Sequence, residues 1–136
     1  MSDTDAQAHF AAVKAVLVAE FGEHVYDYGT VPGTDGNSGT MPARYLLLTV
    51  ERRTQPQVRA SARTSVSAWR ATVRGVGRWL PENARTALAE AAAALNEQRL
   101  TIGGQTSTPV QFESGQAPEP DGPEHYSGLD LYTYAL

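Results

Sequence analysis

The stretch Arg44-Tyr45-Leu46-Leu47-Leu48-Thr49-Val50-Glu51-Arg52 constrains the fold most. In an extended chain it puts Leu46, Leu48 and Val50 on one face and Tyr45, Thr49 and Glu51 on the other. A second alternation runs over 65–77. There Ser67, Trp69, Ala71 and Val73 point one way, and Ala68, Arg70, Thr72 and Arg74 the other. Strands with one apolar face need another layer to cover that face. Gly75 and Gly77 are expected to weaken or bend the end of the second strand.

Two helical stretches offer the cover. Ser2 is a plausible N-cap with Asp5 three residues on, and acids in the first turn suit the helix dipole. Ala6, Phe10, Val13, Leu17 and Phe21 recur at helical spacing, and Gly22 is a natural stop, so a helix is expected over 3–21. Pro81 opens a second helix, with Ala84, Leu88, Ala91 and Leu95 as its stripe and an end near Gln98. Its alanine-rich middle, Ala91 to Ala94, has high helix propensity and permits close packing.

The remainder reads as strand and loop. His24 to Tyr28 favours a short strand, and residues 29–42 are a Gly- and Pro-rich loop. Gln55 to Ala62 is ambiguous, with Pro56 against a central strand. Arg99 to Ile102 leads into a Gly103-Gly104 turn, and Thr108 to Glu113 follows as strand. Residues 114–125 read as an acidic loop, and Tyr126 to Leu136 as a last strand with two apolar faces, suggesting burial on both sides. The order is α-β-β-β-α-β-β-β. It predicts an α+β fold: two helices on a mostly antiparallel sheet. With 136 residues the chain is expected to form one domain, 1–136, with mobile loops at about 29–42 and 114–125.

Composition removes several function classes. There is no cysteine, so disulfide scaffolds, thiolate metal sites and cysteine nucleophiles are out. No apolar run approaches the roughly 18–20 residues of a membrane helix, and the acidic N-terminus does not resemble a secretory signal. A soluble product made in the cytoplasm is expected, with no membrane partner. His9, His24 and His125 are scattered over a helix, a strand edge and a loop, and no nucleophile elbow or metal spacing accompanies them. His24 and His125 could meet in space, but no spacing requires it. The glycines at 29, 33, 36 and 39 lack the Lys-Ser/Thr of a phosphate loop, and Gly75-Val76-Gly77 is only a fragment of a dinucleotide motif. Glu119, Asp121 and Glu124 could form a weak cation site, but a solvated loop is the simpler reading. No catalytic residue, metal or cofactor is expected, and the chain is not read as an enzyme.

Charge is distributed unevenly. Residues 1–43 carry −5, residues 44–85 carry +7, and residues 86–136 carry −6. Three readings compete for the basic middle. One is a solvated face with cross-strand ion pairs. Another is nucleic-acid binding, thinly supported by Trp79 beside Arg78. The third is a contact between a basic face in one subunit and an acidic loop in the next, which closes a ring when repeated head to tail. The third fits the asymmetry best. It assigns Arg52, Arg53, Arg70 and Arg74 to one side, and Glu119, Asp121 and Glu124 to the other.

The order of features from Arg44 onward is also familiar. Tyr45-Leu46-Leu47-Leu48-Thr49-Val50-Glu51-Arg52-Arg53 precedes Ser67-Ala68-Trp69-Arg70-Ala71-Thr72-Val73-Arg74-Gly75-Val76-Gly77. The Ala-rich helix, Arg99 to Gly104, Thr108 to Glu113, Tyr126 to Leu129 and Tyr132 to Leu136 follow. This set resembles the tail terminator (tail completion) proteins of long-tailed phages, especially those of actinobacterial hosts and their prophages. The resemblance covers about residues 44–136. It implies a small α+β sandwich that assembles as a hexameric ring on the last tail-tube ring. Such a ring stops tube polymerisation and presents a surface to head-completion proteins. The implied partners are other copies of the chain, the tail tube protein and the head-completion or connector protein. The implied location is the head-proximal end of a virion tail. Phage DNA would pass through the ring without being a specific partner. The alternative is a DNA-contacting head–tail connector component that uses the Arg-rich middle.

Overall fold

The computed structural model describes residues 3–34, 36–53 and 67–136, with side chains from residue 6 onward. The Ser2 cap, Asp35 and the ambiguous segment from Gln55 to Ala62 lie outside the described residues. The chain builds α1 (Asp3–Phe21), β1 (Val25–Tyr26), β2 (Arg44–Arg52), β3 (Ala68–Arg78) and α2 (Pro81–Leu95). It continues through β4 (Thr101–Ile102), β5 (Gln105–Thr106), β6 (Gln111–Pro120) and β7 (His125–Ala135). Strands β4 and β5 form a small hairpin, and the other five form one sheet in the order β1-β2-β3-β7-β6. Only β1 pairs in parallel within that sheet. The fold is α+β, two helices on a mostly antiparallel sheet.

The alternation in β2 and β3 sets which side is covered. Leu46, Leu48 and Val50 stand opposite Gly75, Val73 and Ala71, and β7 continues this face with Gly128, Tyr132 and Tyr134. Helices α1 and α2 pack here, with Val13, Leu17, Ala87, Ala91 and Leu95 buried against Trp69, Val73 and Tyr132. At about 25 cal/mol per Å² of apolar surface removed from water, this cluster is the main source of stability.

Gly75 and Gly77 do not end β3, which pairs in unbroken register to Arg78. They make room for α2. A Cβ on Gly75 would stand 2.7 Å from Leu88 Cγ, one on Gly128 2.8 Å from Leu88 Cδ1, and one on Gly77 would collide with Asn83 and Ala84. Gly75 and Gly77 let the first turns of α2, at Asn83, Ala84 and Leu88, lie directly on the sheet, and Gly128 leaves room for Leu88 and for the backbone of β6.

Helix α2 stops at Leu95, short of the expected Gln98. The chain leaves because backbone bonds to another segment compete. Glu97, at φ 63, donates to the Val110 carbonyl, and Val110 donates to that of Gln98. The acidic loop expected at 114–125 is corrected more strongly. Residues 111–120 are edge strand β6, and only Asp121 to Glu124 turn the chain into β7. An edge strand tolerates Pro118 and Pro120 because its outer N–H groups need no partner, and two bulges accommodate the rest.

The face of β2, β3 and β7 opposite the helices carries Leu47, Thr49, Arg70, Thr72, Arg74, Leu129 and Leu131, all half-buried. The loop at 29–42 folds over one end of this face. Val31 closes onto Tyr45 and Val76, with Met41 and Leu47 at the margin. Beyond that loop the face is open among the described residues. The last strand is therefore buried through Tyr132 and Tyr134 and only half-covered on its Leu129–Leu131 side, where the two apolar faces had suggested burial on both.

Candidate interface

Parity along β2 separates the basic residues. Arg52 pairs with Trp69 and so shares the parity of the helix-covered face, where it donates to Ser67 Oγ at 2.6 Å. Arg70 and Arg74 stand on the open face, three strands from the β6 edge counted inclusively. Arg53, just past the end of β2, reaches that same side.

Glu113, at the first bulge of β6, accepts a hydrogen bond from Arg70 (3.4 Å) and forms an ion pair with Arg53 (3.8 Å). Arg74 donates to Ser127 Oγ at 3.3 Å, and Ser127 donates onward to Asp121 at 3.0 Å. The chain thus brings three of the expected basic residues close to acids of its own C-terminal third. One carboxylate shared by two guanidinium groups leaves positive charge over, and Arg70 Nε is buried with no partner. These pairs are partly exposed, so each is worth well under about 1 kcal/mol. They orient the arginines more than they stabilise the fold.

Glu119 is exposed on β6 opposite Ser127, and Asp121 and Glu124 are exposed in the turn. Glu124 has a left-handed backbone (φ 61), and its carbonyl accepts the N–H of Trp79, itself at φ 70. Such a conformation in bulky residues costs about 1–2 kcal/mol and persists only when surrounding bonds enforce it. It turns the Trp79 ring outward, 53% exposed, with the Arg78 guanidinium 4.5 Å from its centre.

Each histidine has a structural partner. Buried His9 stacks on Trp69 at 3.6 Å and shares a hydrogen bond of 2.7 Å with the Tyr134 hydroxyl, tying α1 to β3 and β7. His24 bonds to the Tyr26 hydroxyl, and His125 contacts the Pro123 carbonyl and Met41 sulfur. Among the described residues no group of three His, Asp or Glu could hold a metal. No helix is long and apolar enough to cross a membrane among those residues.

Outside the sheet's open face lies a groove of about 480 Å³ between α2 and β6, walled by Leu88, Ala92, Phe112 and Pro118. Asp130 lines it. Burial raises the Asp130 pKa. Burial also pushes up the Tyr132 and Tyr134 phenols, which stay neutral. A single carboxylate without a base, nucleophile or second acid beside it gives the groove no catalytic constellation.

No protein-family model matches the sequence, and neither does any curated protein. Solved structures do match. A chain from the virion of a native gene transfer agent (GTA) particle aligns at a TM-score of 0.70 and 20% identity, over 98% of both chains. A second solved structure, without a functional description, aligns at a TM-score of 0.64 and 15% identity, over 99% of this chain and 95% of the other. These likenesses establish a shared fold that runs essentially from end to end.

Proposed function

We propose that the chain is a structural component of a phage-type virion, acting as a tail terminator. Identical copies form a ring on the end of the tail tube, stop its polymerisation and offer the opposite face to the head-completion protein. The observation that carries this reading is the end-to-end fold shared with a chain of the GTA virion. The ordered sequence features of residues 44–136 point the same way. So does the sheet face that no helix covers among the described residues, since a part made for assembly keeps a surface for its neighbours.

The ring contact is placed on the basic side of the sheet, with Arg53, Arg70 and Arg74 on the open face and Arg52 at the strand end. Glu119, Asp121 and Glu124 stand at the margin that a neighbour would meet. The function needs no catalytic residue and no cofactor. Against a DNA-contacting connector role, Arg53, Arg70 and Arg74 are already directed toward Glu113 and the Ser127–Asp121 pair rather than fanned out to meet phosphates.

The test is a tube-growth assay with purified tail tube protein of the same phage or prophage. The chain should arrest elongation at substoichiometric amounts and appear as a cap on tube ends by electron microscopy. Unchanged elongation with bare ends would reject the reading. Binding to DNA with a steep salt slope, in place of tube arrest, would favour the connector.

A further inference from the structure

We infer that the turn Arg78-Trp79-Leu80 of one copy seats in the groove between α2 and β6 of the next copy. The inference rests on the self-assembling role proposed above and adds a contact to it.

Strand β3 ends at Arg78 and α2 begins at Pro81, and the two residues between them are exposed, Trp79 by 53% and Leu80 by 52%. A left-handed backbone is strained in a bulky residue and free in glycine. Trp79 nonetheless sits at φ 70, bonded to Glu124 at φ 61. Three short bonds lock the turn. The Trp79 N–H donates to the Glu124 carbonyl at 2.7 Å, and the Leu80 N–H and Asn83 Nδ2 both donate to the Arg78 carbonyl at 2.8 Å. The Arg78 guanidinium lies over the indole. Neither Trp79 nor Leu80 belongs to a buried cluster of this chain. Backbone strain thus goes with holding an indole and a leucine in water. A fixed tryptophan with an arginine beside it is the usual energetic centre of a protein contact, and its rigidity lowers the ordering cost of docking.

The α2–β6 groove has the matching chemistry. Leu88, Ala89, Ala92, Phe112 and Pro118 give it apolar walls, and its volume of about 480 Å³ suits large side chains. Phe112 is 51% exposed at this groove, so three of the four large apolar side chains exposed among the described residues belong to the turn or to the groove. The polar groups correspond as well. Asp130 lines the groove and forms no ion pair among the described residues. Arg78 gives one N–H to the Met41 carbonyl and keeps others for an acceptor. Arg85 is the cation of the groove, and Glu124 stands beside Trp79 as its counterpart. Turn and groove share no residue. One copy can therefore offer its turn to one neighbour and its groove to another, the head-to-tail pattern that closes into a ring.

The native chain carries its own probe. It has two tryptophans, and Trp69 is buried, so acrylamide quenching reports almost entirely on Trp79. Quenching should fall severalfold as concentration is raised through self-association. Assembled copies quenched as readily as dilute ones would overturn the contact. Trp79→Gly, which relieves the strained backbone, should melt no lower than the parent and weaken self-association at least about tenfold. Ala89→Arg, at an exposed position of α2, should weaken it as much by filling the groove, and it decides the matter if Trp79→Gly fails to fold. Unchanged self-association in either folded variant would contradict the inference. The chain has no native cysteine, so Leu80→Cys and Ala89→Cys can be mixed and mildly oxidised, alone and on tail tubes. A mixed disulfide in excess of either self-pair is expected, and only self-pairs, or none in both settings, would sink the contact. A mixed disulfide in a chain that ignores tail tubes keeps this contact and removes the cap reading. Tube arrest without the mixed disulfide does the reverse.

Discussion

The two faces of one sheet differ in what they ask of their residues. On the covered side Trp69, Ala71, Val73, Gly75 and Tyr132 fit α1 and α2 so closely that three positions have no room for a Cβ. On the open side leucines and threonines alternate with arginines that are aligned by Glu113, Ser127 and Asp121 but not enclosed. The first face makes the monomer. The second holds a smaller buried cluster, Val31 on Tyr45 and Val76, and beyond it leucines, threonines and arginines that are only half-buried. Substitutions on the covered face should therefore cost stability, and those on the open face should cost assembly.

The largest effect is expected at Trp69. Trp69→Ala removes the ring that His9 stacks on and leaves a large cavity, a loss of about 3–5 kcal/mol by chemical denaturation. A loss below about 1 kcal/mol would mean that the covered face is not the core. Next comes Gly77→Ala, which has to push α2 off the sheet and should cost about 1–3 kcal/mol in thermal unfolding. If instead Gly77→Ala stabilises by removing backbone freedom, the close approach of α2 is wrong.

The double reversal Arg70→Glu and Arg74→Glu sharpens the contrast from the other side. Its cost to monomer stability should stay near about 1 kcal/mol, because exposed pairs are weak, while ring formation falls sharply in light scattering at moderate salt. Unchanged assembly would move the contact off this face. The smallest effect belongs to Asp130→Asn. Burial raises the Asp130 pKa, so folding favours its protonated form, and the associated stability is fully present at low pH and lost as pH rises through the folded value. The Asn variant should melt slightly higher than the parent at pH 7, and the gap should close in acid. A gap that widens on acidification would contradict the burial of that carboxyl.

The sequence made the layers legible because periodicity reports which side of an element is buried. Helix α1, strands β2 and β3 and the stripe of α2 all follow from it. Chain parity also places Arg52 with Val50 rather than with Arg70, although grouping by charge hides this. What composition concealed was β6. Pro118, Pro120 and three nearby acids read as loop, yet a strand with one free edge accepts them where a central strand cannot. Gly75 and Gly77 misled for a related reason. A glycine in a strand signals either weakness or close approach, and only the position of α2 decides between them. His9 could not be placed from its own helix, because its partners Trp69 and Tyr134 lie far along the chain. The residues proposed for the interface carry no local motif, and their grouping depends on the sheet order.

Solution mass, followed over a wide concentration range and then with tail tubes added, bears most directly on the self-assembling role. A single closed oligomer, present alone or appearing on the tubes and lost when Arg70 and Arg74 are reversed, is the expected outcome. A chain that stays one copy per particle throughout and leaves the tube ends bare would contradict it.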